Sequence, residues 1–204
     1  MQPLLERLMT TFPDAVRGVE VDTARNEITA RVAAARIVDV ARWLHDPPEA
    51  SFDHITDICS VDYPNDPERF EVVYQLLSLA HRRRIRLKAR VTEDAPQIAS
   101  VTGIWKGAEF MEREVYDLMG ITFVGHPDLR RILLPEDYEE GHPLRKDFPT
   151  EGRGWRSSFP FIPRLDEAPE EQTEGEVPEQ EKQAYLVAEH QGGTRRREEL
   201  LLNM

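Results

Sequence analysis

Two copies of a Gly-His-Pro tripeptide stand out as residues that could do chemistry, at 125–127 and at 141–143. Each copy leads into a leucine and two basic residues, at 129–131 and at 144–146. Histidines among carboxylates and arginines can hold a metal ion, act as an acid and a base, or bind another molecule through hydrogen bonds. The residue types alone leave all three chemistries open.

The spacing of the histidines disfavours a metal site. His126 and His142 lie sixteen residues apart, and neither has a second histidine or a cysteine close by in the sequence. Zinc sites usually take ligands in close pairs, so that one turn orients two of them. The neighbouring arginines would also repel a cation. A free-standing metal-dependent hydrolase built on these two histidines remains the alternative from a different functional class.

Proline content argues against acid–base chemistry and for an interface. Residues 125–149 carry four prolines, which exclude a long helix or a central strand and make a poor scaffold for a general base. The apolar residues among them are too many for a disordered linker. A proline-restricted backbone loses less entropy on ordering, arginines bind carboxylates through two parallel hydrogen bonds, and isolated leucines act as anchors. The pattern favours an arm that binds a partner.

Composition narrows the function class. The formal net charge of −12 and the pI of about 5.0 disfavour a nucleic-acid binder. The first residues lack the basic and apolar regions of a secretory signal, and no apolar run is long enough to span a membrane. With one cysteine, Cys59, the chain by itself can form neither an internal disulfide nor an iron–sulfur cluster held by four thiolates.

The elements that must position this arm are typical of an α+β domain, with a mixed or antiparallel sheet and helices packed on it. Apolar alternation in 70–76 and 85–91 predicts two antiparallel strands joined through His81-Arg82-Arg83-Arg84. That basic turn is either solvated or a charged docking face. Further strands are predicted at 19–21, 28–32 and 52–63, and helices at 2–11 and 37–44.

Three more specific expectations follow from periodicity. Cys59 lies in register with Ile55 and Val61, which predicts a small buried side chain on one face of a strand. Residues 94–120 predict a helical region with glycine interruptions, capped by Gly120 and buried along Met111, Val115 and Met119. The spacings of Glu109, Arg113 and Asp117 predict two i, i+4 ion pairs on another face of this helix.

The chain therefore divides into three predicted parts. Residues 1–120 form the α+β domain, and residues 121–165 form an extended, proline-rich C-terminal arm. The remaining 166–204 form an acidic, flexible tail, because 166–181 holds eight acidic residues and no basic one.

One long stretch resembles a known family. Residues 112–133, EREVYDLMGITFVGHPDLRRIL, continue to PED at 135–137 and GHPLRKDFP at 141–149, and together resemble the 30-kDa subunit of respiratory complex I. Upstream, DYPNDPERFEVVYQLLSL at 62–79 is similar to the same family, which in bacteria is the C subunit of NADH:quinone oxidoreductase. The resemblance covers roughly residues 1–165.

This resemblance implies a non-catalytic, structural subunit of the hydrophilic arm of a proton-translocating NADH:quinone oxidoreductase. It implies no cofactor in this chain, since FMN, iron–sulfur clusters and quinone belong to partner subunits of the family. The implied partner is the 49-kDa (D) subunit, and the implied location is the periphery of the bacterial inner membrane, on its cytoplasmic side. The corresponding subunit of a related membrane-bound [NiFe] hydrogenase, or of another donor:quinone dehydrogenase, stays open as a near alternative.

The resemblance also implies roles for individual residues, none of them catalytic. The motif at 112–117 completes the domain and orients the start of the arm. Its residues are Glu112, Arg113, Glu114, Tyr116 and Asp117. Polar residues of the arm contact the large subunit, namely His126, Asp128, Arg130, Arg131, His142, Arg145, Lys146 and Asp147. The apolar anchors are Ile132, Leu133, Leu144 and Phe148.

Overall fold

The computed structural model describes residues 2–22, 27–46 and 50–153, which belong to one compact unit. The predicted acidic tail and the last part of the predicted arm, 154–165, lie outside the described residues. In chain order the elements are helix α1 (Gln2–Thr11), strands β1 (Val16–Asp22) and β2 (Glu27–Ala33), a 3-10 turn (Ala34–Arg36), helix α2 (Ile37–His45), strands β3 (His54–Asp62), β4 (Phe70–Ser78), β5 (Arg83–Val91) and β6 (Gln97–Ala99), helix α3 (Ala108–Met119) and strand β7 (Thr122–Val124).

Five strands form one mixed sheet in the order β1-β2-β5-β4-β3. Strands β2 and β5 run parallel, and the other neighbours run antiparallel. Apolar residues of α1, α2 and α3 share a single core with one face of this sheet. The predicted α+β fold with a mixed sheet is therefore confirmed.

The two central strands follow their alternating sequence. The inward side chains of β4 at 70, 72, 74 and 76 are buried, as are those of β5 at 85, 87, 89 and 91. The opposite face is charged: Lys88 and Arg90 bind the Glu71 carboxylate at 2.9 and 3.1 Å. Alternation predicted these strands because one face meets the core and the other meets water.

A β-bulge makes the prediction for Cys59 wrong. The register of β3 against β4 shifts between Ile55 and Asp57, so the strand gains one residue relative to its partner. Beyond the bulge Ile58 and Asp62 are buried, and Cys59 is exposed on the other face, opposite Val73. A one-residue insertion exchanges the faces of all side chains that follow it.

The helical region predicted for 94–120 is only partly correct. Its first part forms strand β6, which pairs parallel with β7, and only Ala108–Met119 is helical. A three-residue strand is too short to show alternation, so the sequence carries no signal for it. The predicted end at Gly120 is confirmed, since this glycine has a φ of 74° and donates its amide hydrogen to Tyr116 O at 2.9 Å.

Val115 and Met119 of α3 are buried as predicted, and Met111 packs partly buried against the core. None of the described helices is long and apolar enough to cross a bilayer. Helix α3 therefore has one face in the core, and its other faces remain available to hold the chain that follows.

Candidate docking arm

Asp117 of α3 holds the arm through its backbone. Its carboxylate Oδ2 accepts hydrogen bonds from the amides of Ile132, Leu133 and Leu134 at 3.1, 2.9 and 2.8 Å. The other oxygen, Oδ1, accepts one from Arg131 Nη1 at 3.1 Å. Three consecutive amides that point at one buried carboxylate fix the conformation of this segment.

The charge of Asp117 is part of this arrangement. Burial alone would raise the pKa of the Asp117 carboxyl, but the amide hydrogen bonds from Leu134, Leu133 and Ile132, with the Arg131 charge, hold it below the ordinary value. The group is therefore an anion at neutral pH. A buried anion without these donors would be strongly unfavourable, so carboxylate and arm depend on each other.

Arg113, one helical turn before Asp117, binds the carbonyls of the same segment. It donates from Nε to Arg130 O at 3.1 Å and from Nη2 to Arg131 O at 3.0 Å. The i, i+4 ion pairs predicted for Glu109, Arg113 and Asp117 are not formed within the described part of the chain. The prediction was wrong because the side chains of Arg113 and Asp117 bind the arm instead of forming ion pairs along the helix.

Each of the two motif histidines donates a hydrogen bond to a carbonyl of α3. His126 lies 3.0 Å from Glu109 O through Nε2, and its Nδ1 accepts the Asp128 amide at 3.0 Å. His142 lies 2.9 Å from Asp117 O through Nδ1. A carbonyl only accepts, so the first ring is protonated on Nε2 and the second on Nδ1.

These carbonyls are too far apart for a shared metal ion. Glu109 and Asp117 are separated by eight residues of helix, which is about 12 Å along its axis. Within residues 2–22, 27–46 and 50–153, no group of three or more histidine, cysteine or acidic side chains is arranged to hold a metal. His126 and His142 therefore hold the arm on its helix at two separate places.

The path of the arm follows from these contacts. His126 binds at Glu109, Arg130 at Arg113 and the amide of Leu134 at Asp117, each pair separated by seventeen residues. The arm thus runs alongside α3 in the same direction and advances about 12 Å over eight residues. A fully extended chain would cover about 27 Å, so this stretch is turn-rich.

The second motif packs against the end of α3. The Leu144 amide donates to Leu118 O at 3.1 Å. The Arg145 Nε donates to Met119 O at 2.8 Å. A Cβ at Gly120 would lie 2.4 Å from His142 Nε2 and 2.6 Å from Arg145 Nη2. Gly120 is needed here both for its positive φ and for this close approach.

The environment of His142 keeps its ring neutral. Burial lowers the pKa of His142, and the charges of Arg145 and Arg131 lower it further, against the opposing effect of its hydrogen bond to Asp117. A neutral imidazole suits this place, because one ring nitrogen donates to a carbonyl while the charges of two nearby arginines disfavour a second proton.

A second anchor lies at the end of the sheet and was missed by sequence reasoning. Arg69, with its side chain 7% exposed, binds both oxygens of Asp62 at 2.7 and 2.8 Å. The Lys146 amide donates to the same Asp62 carboxylate at 2.8 Å, and Arg69 also binds Asp147 at 3.0 Å. The guanidinium groups of Arg69 and Arg145 both lie over the Phe70 ring, 5.0 and 4.9 Å from its centre.

Both domain residues that hold the arm here, Asp62 and Arg69, are charged. The Arg69 hydrogen bond lowers the pKa of Asp62 against the opposing effect of burial, and the Asp62 hydrogen bond raises the pKa of Arg69. Its sequence signal was the position of both residues within the family-like stretch at 62–79. Nothing in that stretch indicates that its charged residues hold a segment almost eighty residues later.

The other residues of the predicted helix motif face elsewhere. Glu112 is fully buried and accepts hydrogen bonds from the Val101 amide at 2.8 Å and the Ser100 hydroxyl at 2.6 Å. Burial raises the pKa of this carboxyl. Glu114 is exposed and Tyr116 is half-buried. Of this motif, Arg113 and Asp117 contact the arm through their side chains.

The predicted interface residues divide into two groups. Several are half-buried against the domain: His126, Arg131, His142, Arg145 and Phe148. The others are exposed: Asp128, Arg130, Ile132, Leu133, Leu144, Lys146 and Asp147. Leu133 and Leu144 stand out among the second group, with 60% and 57% of their surface exposed.

Residues 30–154 match a family model described as respiratory-chain NADH dehydrogenase, 30 Kd subunit. The chain belongs to this family. The matched span runs from strand β2 to the end of the described arm. It therefore includes both places where the domain holds the arm, Asp117 on α3 and the Asp62–Arg69 pair.

Two relatives of this chain carry the same name. The chain is 51% identical over 146 residues to the NADH-quinone oxidoreductase C subunit of Roseiflexus sp. (strain RS-1), an alignment that covers 72% of this chain and 82% of that protein. It is 50% identical over 152 residues to the C subunit of the same enzyme in Xanthobacter autotrophicus (strain ATCC BAA-1158 / Py2), covering 74% and 71%.

Two solved structures share the fold. The trypsin-resistant fragment (1-134) of Nqo5 aligns with a TM-score of 0.53 and 32% identity, covering 63% of this chain and 98% of that one. A chain of the membrane-bound sulfane sulfur reductase, an archaeal respiratory membrane complex, aligns with a TM-score of 0.63 and 26% identity, covering 72% and 85%.

The 30-kDa family predicted from the sequence is therefore confirmed. The chain is a subunit of NADH-quinone oxidoreductase and so part of a multi-subunit respiratory membrane complex. The comparisons give no support to a free-standing hydrolase, and the relatives about 50% identical to the chain are named for NADH rather than for another electron donor.

Proposed function

We propose that this chain is a structural subunit without catalytic residues or a redox centre of its own, in a proton-translocating complex. Two features of the residues support this. A single cysteine cannot supply four thiolates to an iron–sulfur cluster, and the sequence holds no glycine-rich nucleotide loop. FMN, iron–sulfur clusters and quinone would then reside on partner subunits.

The proposed structural role is to dock on the 49-kDa (D) subunit through the arm. The observation that carries this proposal is the exposure of Leu133 and Leu144 on a segment whose backbone is fixed. The Leu133 amide is bound by Asp117, and the Leu144 amide is bound by Leu118 O. Preorganised apolar side chains lose little conformational entropy on binding, which makes them effective anchors.

The half-buried polar residues of the arm support the docking surface from behind. His126, Arg131 and His142 bind their own domain, so their part in the interface is to position the exposed side chains. Arg130, whose side chain is 65% exposed, and the exposed Lys146 remain available for carboxylates at the rim of the interface. By family resemblance, the complex would place this subunit on the cytoplasmic side of the membrane.

The test is assembly of the complex with Leu133→Asp and Leu144→Asp variants. A charge at a desolvated anchor should reduce the amount of this chain that co-purifies with the 49-kDa-type subunit by tenfold or more. Met9→Asp on α1 is the matched control, because Met9 is an apolar residue with 50% of its surface exposed and lies far from the arm in sequence.

Thermal unfolding of each purified chain would show that the variants still fold. Wild-type assembly of both leucine variants would refute docking through these residues. Charge reversal at Arg145 is less informative, because its guanidinium binds Met119 O and packs on Phe70. Arg130 is the better position for charge reversal, since the only contact described for its side chain is an exposed ion pair with Asp128.

A further inference from the structure

The turn between β4 and β5 carries an unusual set of exposed side chains. Residues 79–82 form a four-residue loop, and Ser78 pairs with Arg83 where the two strands separate. The segment 79–84 reads Leu-Ala-His-Arg-Arg-Arg and is called the arginine tip below. Leu79 is 61% exposed, more than any other large apolar side chain described in the structure.

The three arginines of the tip have no described partner. Basic residues further along β5 bind carboxylates of the same sheet. Arg86 binds Glu27, and both Lys88 and Arg90 bind Glu71. Within residues 2–22, 27–46 and 50–153, the side chains at 82–84 form no ion pair or hydrogen bond. Among the described residues, the tip is therefore a concentration of unneutralised positive charge, on a chain whose net charge is −12.

The backbone of the tip is held in a specific shape. The Leu79 amide donates to Asp53 Oδ1 at 3.1 Å, and the His81 amide donates to Ser78 Oγ at 3.3 Å. Arg82 adopts a φ of 51°, a left-handed conformation that glycine or asparagine would adopt more easily. This backbone conformation sets the direction in which the Arg82 side chain leaves the turn.

We propose that the arginine tip is a second docking surface, which binds an acidic patch of a neighbouring protein subunit. Guanidinium groups bind carboxylates through two parallel hydrogen bonds, and this hairpin end carries three of them in succession, exposed at Arg82 and Arg84 and half-buried at Arg83, beside one apolar contact from Leu79. The sequence left open whether this basic turn is solvated or a docking face, and the missing internal partners with the strained backbone favour docking.

A protein partner fits better than an anionic membrane surface. The net charge of −12 would be repelled by anionic lipid once the tip approached it, and a flexible basic segment would serve a lipid surface as well as a strained, fixed turn. This surface is also separate from the arm. The arm anchor at Phe70 and the tip beyond Ser78 lie at opposite ends of β4, about 27 Å apart.

Cross-linking in the assembled membrane complex tests the proposal. Arg82→Lys, Arg83→Lys and Arg84→Lys, combined in one chain, keep the charge and add amines that a carbodiimide joins directly to carboxylates in contact. Mass spectrometry of the cross-linked complex should find these lysines joined to aspartate or glutamate of another subunit. Cross-links confined to this chain, or none from the tip, would overturn the proposal.

A neutralised variant gives an independent measurement. Arg82→Gln, Arg83→Gln and Arg84→Gln together should lower retention of the chain on the isolated complex at low salt by about tenfold, and raised salt should reduce this difference. The control removes three exposed arginines elsewhere, Arg17→Gln, Arg31→Gln and Arg42→Gln, for the same change in net charge. Equal retention of the two triple variants would contradict a special role for the tip.

Flotation with vesicles that contain phosphatidylglycerol tests whether the tip binds lipid instead of a protein. The full-length purified chain should not float with these vesicles. Flotation that the glutamine variant abolishes would assign the tip to the membrane and overturn a protein partner.

Discussion

Replacing Asp117 by asparagine tests whether one buried carboxylate holds the arm on α3. The carboxylate accepts three amide hydrogen bonds at 2.8 to 3.1 Å and a fourth from Arg131 at 3.1 Å. Removing one partner of a buried ion pair costs about 3–5 kcal/mol. Asparagine keeps one acceptor oxygen but turns an amide donor toward other donors, so we expect the arm to lose about 3 kcal/mol of attachment, or roughly 150-fold in its open fraction.

Trypsin cleavage of the full-length chain measures that open fraction. Cleavage after Arg130 and Arg131 requires the arm to leave α3, whereas cleavage after Lys88 and Arg90 requires β5 to unfold. When closing is fast relative to cleavage, each rate follows the population of the open state. The control is Glu114→Gln, which removes the same charge from an exposed position of the same helix and should leave the arm rate close to that of the wild type.

Two results would refute the reasoning. If the Asp117→Asn arm is cleaved at the wild-type rate, the carboxylate does not hold it. If cleavage within β5 rises in parallel with cleavage of the arm, arm and domain unfold together, and the local attachment inferred from the hydrogen bonds does not exist as a separate step.

Three further predictions use other residues. Gly120→Ala should destabilise the chain in thermal unfolding by about 2 kcal/mol more than Gly125→Ala, because both glycines have positive φ but only the first would place a Cβ 2.4 Å from His142. His142 has a folded pKa below 6.5, so the free energy of unfolding should fall as the pH drops below 6.5, by at most about 1.4 kcal/mol per pH unit. Urea unfolding at several pH values measures this dependence, and His142→Asn should remove the part that comes from His142. Cys59 should react fully with maleimide in the native chain because it is exposed, and protection from labelling would contradict that exposure. The reaction should be faster in Asp57→Asn, because desolvation and then the Asp57 charge raise the pKa of the thiol.

The sequence predicted the elements that meet the core and water on opposite sides. Strands β4 and β5 alternate without interruption, so their burial could be read from residue order alone. The prediction failed at Cys59, where the bulge shifts the register without any glycine or proline to mark it. It failed again at β6, whose three residues pair with a strand that follows α3. Both failures concern how a strand pairs with another segment, next to it at β4 or beyond α3 at β7, which local periodicity does not encode.

For the arm, the sequence predicted the kind of contact but not its partner. The two histidines were expected to bind another subunit through hydrogen bonds, and both form hydrogen bonds, but to backbone carbonyls of α3 in the same chain. Asp62 and Arg69 were missed because their contact with the arm spans 84 and 78 residues. Residue types indicate hydrogen-bond chemistry, whereas the choice between an internal and an external partner depends on how far the arm turns back on its own domain.

The return of the arm onto its own domain explains the repeated Gly-His-Pro motif. Each copy begins with a glycine at positive φ, 85° at Gly125 and 110° at Gly141, which redirects the chain so that the next residue reaches α3. The histidine then binds a helix carbonyl, and the proline limits how the chain can leave. Because the two bound carbonyls lie about 12 Å apart, the copies hold the arm at two places along one helix, and the apolar residues after each copy, Leu133 and Leu144, remain exposed. The repetition therefore holds the arm on α3 at two places, and under the proposed docking role it leaves Leu133 and Leu144 exposed for a partner.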